Sequence, residues 1–225
     1  MNLKLEETRS EGRNATKATR RILFLTAAAS TVFGMLYLVG LTGKLIADGT
    51  IHSASSPPIQ VVSAAIGLLW DATLLVMFVA LRRQFATKNA VFADLGMVFM
   101  ALVCATSSIN WFVQLTLVPK ITQASDPPLL LLIDIHHESS IMYAIEHLAW
   151  GVFYGLATIF MAVAIDGGRL ETWIRWLFAA GGILSLLHVV GIMTATPAII
   201  DLGYFAAGVL LPLTTMLMAI RFRRD

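Results

Sequence analysis

Five ionisable side chains interrupt stretches of the chain that are otherwise apolar: Asp71, Glu146, His147, His188 and Asp201, with Asn110 and Gln114 as uncharged companions. Imidazole and carboxylate are the groups that hold zinc or iron, so His147, His188 and Glu146, joined by Asp71 or Asp201, have the chemistry of a metal site. A water bound there would be a hydrolytic nucleophile. Spacing argues against that reading. No H-x-x-x-H or H-x-x-E-H pattern places two ligands on one helix face, and Glu146 and His147 are adjacent, hence about 100° apart around a helix. No metal ligand is assigned on this basis, and no cofactor is required. The same groups suit a binding pocket, in which Asp71, Asn110, Glu146, His147, His188 and Asp201 are the hydrogen-bonding fixtures and Trp70, Trp111, Trp150 and Tyr204 the walls. They also suit a third role, as interhelical hydrogen bonds worth about 0.6–2 kcal/mol each.

The elements that carry these residues follow from composition. Of 225 residues, 57% are hydrophobic and 13% charged, against roughly 25% charged in soluble globular domains. The apolar residues are gathered into runs of about 20, the length that crosses a ~30 Å hydrocarbon layer as a helix. Six such runs are predicted: Ile22 to Gly43, Ile59 to Leu81, Leu95 to Val118, Ile141 to Ile165, Trp176 to Thr196 and Ala198 to Ile220. They lack the two-residue alternation of barrel strands, and in lipid only helices or closed barrels satisfy the backbone. The fold class is therefore all-α, a polytopic bundle of about six transmembrane helices.

Basic residues give the orientation. Lys4, Arg9, Arg13, Lys17, Arg20 and Arg21 precede the first run, Arg82, Arg83 and Lys88 follow the second, Arg169 and Arg175 follow the fourth, and Arg221, Arg223 and Arg224 end the sixth. That is 14 of 16, with only Lys44 and Lys120 on the other side. Both ends of the chain are predicted to be cytoplasmic. The organisation is then a basic N-terminal tail (1–21), a six-helix domain (22–220) and a basic C-terminal segment (221–225). The first apolar run exceeds the 7–15 residues of a signal-peptide core, so it reads as an uncleaved helix. Residues 1–19 are charged and lack aromatic groups, and are expected to be disordered or to lie along the membrane surface.

Helical spacing says which way the polar groups point, because residues three, four and seven apart share a face and small residues mark close helix approach. Tyr143, His147, Gly151 and Gly155 form one stripe. Gly181, Ser185 and His188 form another, as do Ala64, Gly67 and Asp71, and Cys104, Ser107, Asn110 and Gln114. Each set is predicted to turn inward, and the orientation puts most of the polar groups in the outer half of the layer. The same small-residue faces allow an oligomer.

Of the three connections on the outer side, two are long, 47–58 and 119–140, and the third is a short turn around Pro197. The second holds Leu129 to Leu132, which suits a short interfacial or re-entrant helix or an extension of the fourth span, and Asp134, His136, His137 and Glu138, read as solvent-exposed ahead of a metal or proton-sensing cluster. Trp173, Arg175 and Trp176 are interfacial anchors at the cytoplasmic end of the fifth span, and Pro212 is expected to kink the sixth. Two three-helix halves would have inverted topology, as transporters do, but the halves share no residue pattern. A single cysteine, Cys104, excludes an intramolecular disulfide and a Cys-based zinc site. Walker A, G-x-G-x-x-G, G-x-S-x-G and H-E-x-x-H patterns are absent, which argues against nucleotide and serine-hydrolase chemistry. Nucleic acid is not an expected partner; membrane lipids and a small lipophilic ligand are.

Six apolar runs and the fourth-to-fifth hairpin, Asp166-Gly167-Gly168-Arg169-Leu170-Glu171-Thr172-Trp173-Ile174-Arg175-Trp176 leading into a Gly-rich helix, resemble a broad group of uncharacterised six-helix bacterial integral membrane proteins. The resemblance implies a bacterial cytoplasmic (inner) membrane and brings no functional residue with it. The leading functional expectation is binding or movement of a small lipophilic molecule through an outward-facing polar pocket. The alternatives are a membrane-embedded metal-dependent enzyme of hydrolase type and a structural or partner-binding subunit.

Overall fold

The computed structural model describes residues 2–48, 57–124, 127–135 and 137–223. Among these the ordered elements are helices, and six are long and apolar enough to cross a membrane: Thr16–Gly40, Val61–Phe85, Asn89–Thr122, Ile141–Ala164, Arg169–Met193 and Pro197–Arg223, here the first to sixth spans. The first belongs to a helix that begins at Asn2, so the stretch expected to be disordered or to lie along the membrane surface is helical and continuous with the span. Eleven of residues 2–19 are Lys, Glu, Arg, Ala or Leu, all good helix formers.

The second and third spans form an antiparallel hairpin broken at Asn89, whose backbone leaves the helical region (φ −131°, ψ 55°). Its freed side chain donates from Nδ2 to the Val163 carbonyl (3.2 Å), capping the end of the fourth span. Arg82 and Asp94 face each other across the turn, Nε to Oδ1 at 2.5 Å. The fourth-to-fifth turn uses Gly167 at φ +153°, where a Cβ would stand 2.8 Å from the Glu171 side chain. Glu171, placed there, pairs with Arg221 in the last turn of the sixth span. These devices gather where the basic connections lie. At the opposite end, the third span passes a turn at Leu117 and finishes in the short helix Val118–Ala124, and a second short helix, Pro127–Ile133, comes after it. The run Leu129 to Leu132 is thus a separate short helix, and Ser140 Oγ caps a fresh start of the fourth span by accepting from the Tyr143 N–H (3.0 Å).

Ring contacts define the packing. Tyr37 meets Trp70 (first and second spans), Trp70 meets Trp150 (second and fourth), Phe78 meets Phe178 (second and fifth), and Phe99 meets Phe153 and Phe160 (third and fourth). The second span is the hub of the bundle. The first and sixth spans are joined by Thr31 and Thr215, hydroxyl to hydroxyl at 2.9 Å. Pro212 of the sixth rests against Gly34, where a Cβ would lie 2.4 Å from the proline Cγ. The disturbance expected at Pro212 takes the form of a π turn over Ala206–Leu210, with helix on both sides. A proline at 212 removes the N–H that would reach the Gly208 carbonyl, and Gly208 lies inside that turn. A second π turn, Leu148–Phe153, interrupts the fourth span one residue after His147. The two π turns pack against the fifth span.

Candidate functional site

The fourth span delivers Glu146 and His147 in its first two turns, the fifth delivers His188 in its last two, and the sixth begins with Ile200, Asp201, Gly203 and Tyr204 beside them. Close approach of the fifth and sixth spans depends on two glycines. A Cβ on Gly191 would fall 2.6 Å from the Ile200 nitrogen, and one on Gly203 would fall 2.5 Å from Cγ of His188. The imidazole is therefore packed closely against the Gly203 backbone. Its Nδ1 is 2.5 Å from the Ile200 carbonyl and its Nε2 is 2.7 Å from Nδ1 of His147. A carbonyl only accepts, so Nδ1 of His188 carries a hydrogen and, in the neutral ring, Nε2 accepts from the N–H of His147. A directed chain runs from His147 through His188 to the backbone of the sixth span. Tyr143 packs edge-on against His147 (4.0 Å between centroids) and Tyr204 against His188 (6.0 Å).

A second group lies between the second, third and fourth spans. Asn110 Nδ2 donates to Glu146 Oε2 (2.7 Å) and to the Met142 carbonyl (3.3 Å). Gln114 Nε2 reaches the Ile133 carbonyl (2.8 Å), which fastens the short outer helix to the third span. Asp71, 1% exposed, receives the Ser108 hydroxyl on Oδ2 (3.2 Å), while its own backbone carbonyl accepts from the Cys104 thiol (3.1 Å). Ser107, beside the Asp71 carboxyl group, accepts from Nε1 of Trp150 (3.3 Å). Asp71 Oδ1 has no hydrogen-bond partner, nor do the indole nitrogens of Trp70 and Trp111. Glu146 lies within electrostatic range of Asp71, of Tyr37 from the first span, and of Tyr204 from the sixth.

Five of the six candidate residues therefore lie in the bundle interior or line it. Asn110 and His188 are buried with Asp71, and Glu146 and His147 are half-buried where the two groups meet. Asp201 does not join them; it is exposed, although within electrostatic range of His188. The described residues contain no group of three His, Cys, Asp or Glu side chains placed to hold a metal. The two histidines are at hydrogen-bonding distance, closer than the roughly 3.3 Å separating two imidazole nitrogens that each lie 2.0–2.1 Å from one tetrahedral zinc. In the outer segment, Asp134 and His137 are half-buried and Glu138 is exposed, while His136 lies outside the described residues, as do residues 49–56 of the other outer connection and Arg224.

Residue spacing alone missed Tyr37 and Ser108. Tyr37 had a signal: it follows Ser30 and Gly34 by seven and three residues, and both of these are buried. Ser108 had one too: it stands four residues after Cys104, on the same face, and donates to Asp71.

Six membrane-length helices around a largely apolar core that encloses a polar cluster define the class of molecule this is. Comparison with known proteins goes no further: no family model, curated protein or solved structure matches the chain.

Proposed function

We propose that the chain is an integral membrane protein, of the bacterial cytoplasmic membrane, that binds or moves a small lipophilic molecule at the polar interior around Asp71 and Glu146. The orientation read from the basic connections puts both ends in the cytoplasm and the polar groups toward the outside, so the molecule enters from the outer leaflet or the outer aqueous phase. The six-helix bacterial group that the fourth-to-fifth hairpin resembles is the basis for the choice of membrane. The single observation that carries the reading is the state of Asp71. It is almost fully buried at mid-helix, yet one carboxylate oxygen has no partner. A group used only to lock helices together is held at both oxygens, because an orphaned buried acceptor costs about 1–3 kcal/mol.

A thermal-stability screen of the detergent-purified protein against lipids and metabolites tests this. A ligand of the site raises the unfolding temperature of the parent and leaves Asp71→Asn unmoved, while the variant folds. If no compound acts and Asp71→Asn changes only the baseline stability, the group is a lock.

A second reading is favoured for one part of the cluster. His147, His188 and Ile200 form a chain with short bonds across three spans, and these side chains fit a structural tie better than a ligand contact.

A further inference from the structure

Resting on the binding reading above, we infer that the molecule taken by the Asp71–Glu146 site is a lipophilic organic cation, an aryl or alkyl ammonium, and that it exchanges there with a proton. Two carboxyl groups from neighbouring spans lie within electrostatic range of each other, and no Lys or Arg among the described residues pairs with either. The titratable groups that face them are Tyr37 of the first span, Cys104 of the third, His147 next to Glu146 in the fourth, and Tyr204 of the sixth. Both histidines of the neighbouring chain direct ring nitrogens at each other or at a carbonyl. Two like charges left bare in so apolar a setting would cost many kcal/mol, so the pair is balanced either by protons or by a bound cation.

Two further observations point to an organic cation over a bare metal ion. Among the described residues no group of three acidic, imidazole or thiol side chains is placed to hold a metal, and two carboxyl groups are too few to complete a coordination shell. The walls are aromatic. Tyr37, Trp70, Trp150 and Tyr154 form a continuous row with centroids 6.0, 5.7 and 5.5 Å apart, running from the residue before Asp71 to the turns after Glu146. Indole and phenol faces beside a carboxylate are the recognition chemistry of quaternary and substituted ammonium groups. Asp71, next in sequence to Trp70, adds a buried Oδ1 that has no hydrogen-bond partner. When the ammonium enters, one carboxyl proton leaves to solvent, and total charge in the interior is unchanged.

The test uses two probes of one shape, benzyltrimethylammonium and its neutral isostere neopentylbenzene, on the full-length protein in weakly buffered detergent at pH 7. Binding is followed by calorimetry and proton release by an indicator dye. The expected result is saturable binding of the cation with about one proton released, at least about tenfold weaker binding in Asp71→Asn and Glu146→Gln, and no competition by the neutral isostere. Equal binding of both probes without proton release overturns the cation inference and leaves the binding reading in place. Binding of neither probe also overturns it; if the lipid and metabolite screen is blank as well, the binding reading falls with it. The proton count and the probe pair are read on the parent protein, so a variant that fails to fold does not spare the inference.

Discussion

The imidazole of His188 sits 2.7 Å from that of His147 and 2.5 Å from the Ile200 carbonyl, so one side chain of the fifth span fastens both the fourth and the sixth. The consequence is energetic coupling between two positions 41 residues apart. In thermal unfolding of the detergent-solubilised protein, His188→Ala is expected to cost more than His147→Ala, because it severs two hydrogen bonds where the other severs one. A double-mutant cycle between them is expected to give about 0.6–2 kcal/mol of coupling, the range for interhelical hydrogen bonds in lipid. Additive losses would mean that the two rings merely lie near each other.

Glycine substitutions separate close approach from propensity. Gly203→Ala puts a methyl group 2.5 Å from His188 Cγ and forces the ring off the Ile200 carbonyl, whereas Gly40→Ala meets nothing within 4 Å. The first is expected to lower stability by about 1–3 kcal/mol through overpacking. The second is expected to be neutral or mildly stabilising, since Ala is the better helix former. Equal effects would contradict the packing at His188.

At the basic end, the pair between Glu171 and Arg221 ties the fourth-to-fifth turn to the end of the sixth span. Glu171 is 7% exposed and Arg221 about one-third so, which leaves solvent screening and limits the pair to up to about 1 kcal/mol. Glu171→Gln is therefore expected to lower the unfolding temperature modestly, and the difference from the parent is expected to shrink at 1 M salt. Gly167→Ala is expected to do more harm than Glu171→Gln, because it strains the backbone at φ +153° and displaces the Glu171 side chain at once. The measurement is the same melt at two salt concentrations.

The orientation read from Lys and Arg is open to cysteine labelling. In a Cys104→Ala background, Lys120→Cys is expected to react with an impermeant maleimide applied outside intact cells, and Arg83→Cys to react only after permeabilisation. The opposite pattern would invert the proposed entry side of the ligand. Cys104 itself is buried, so the parent protein is expected to stay unlabelled in native membranes.

Elemental analysis of the purified protein bears on the metal-enzyme alternative. With no three-ligand group among the described residues, zinc or iron is expected well below one per chain after supplementation and washing. One metal per chain that disappears in the His147→Ala/His188→Ala double variant would revive the hydrolase reading.

Much of this arrangement was legible in the residues, and the reason is geometric. A helix in an apolar layer hides polar and small side chains on one face, so the stripes through Asp71, through Asn110 and Gln114, and through Ser185 and His188 are all buried as spacing implied. What spacing cannot show is how a face is divided once helices meet. Asp201, four residues into the sixth span, reads like the other candidates but ends up exposed, because Gly203 and Ile200 are the residues that turn toward His188. The π turns at Leu148–Phe153 and Ala206–Leu210 were also hidden, since each adds a residue to a turn and breaks the three-and-four rule on which the stripes rest. Asn89, an ordinary residue in a charged connection, gave no sign that its side chain would cap a different helix.

The five tryptophans fall into two optical populations. Trp70, Trp111 and Trp150 sit among the buried polar groups, two of them only 5.7 Å apart, while Trp173 and Trp176 are 55% and 61% exposed at the other end of the bundle. Brominated acyl chains would darken the second pair and leave the first emitting, so the remaining fluorescence becomes a built-in gauge of what happens around Asp71, read without a dye or an added label.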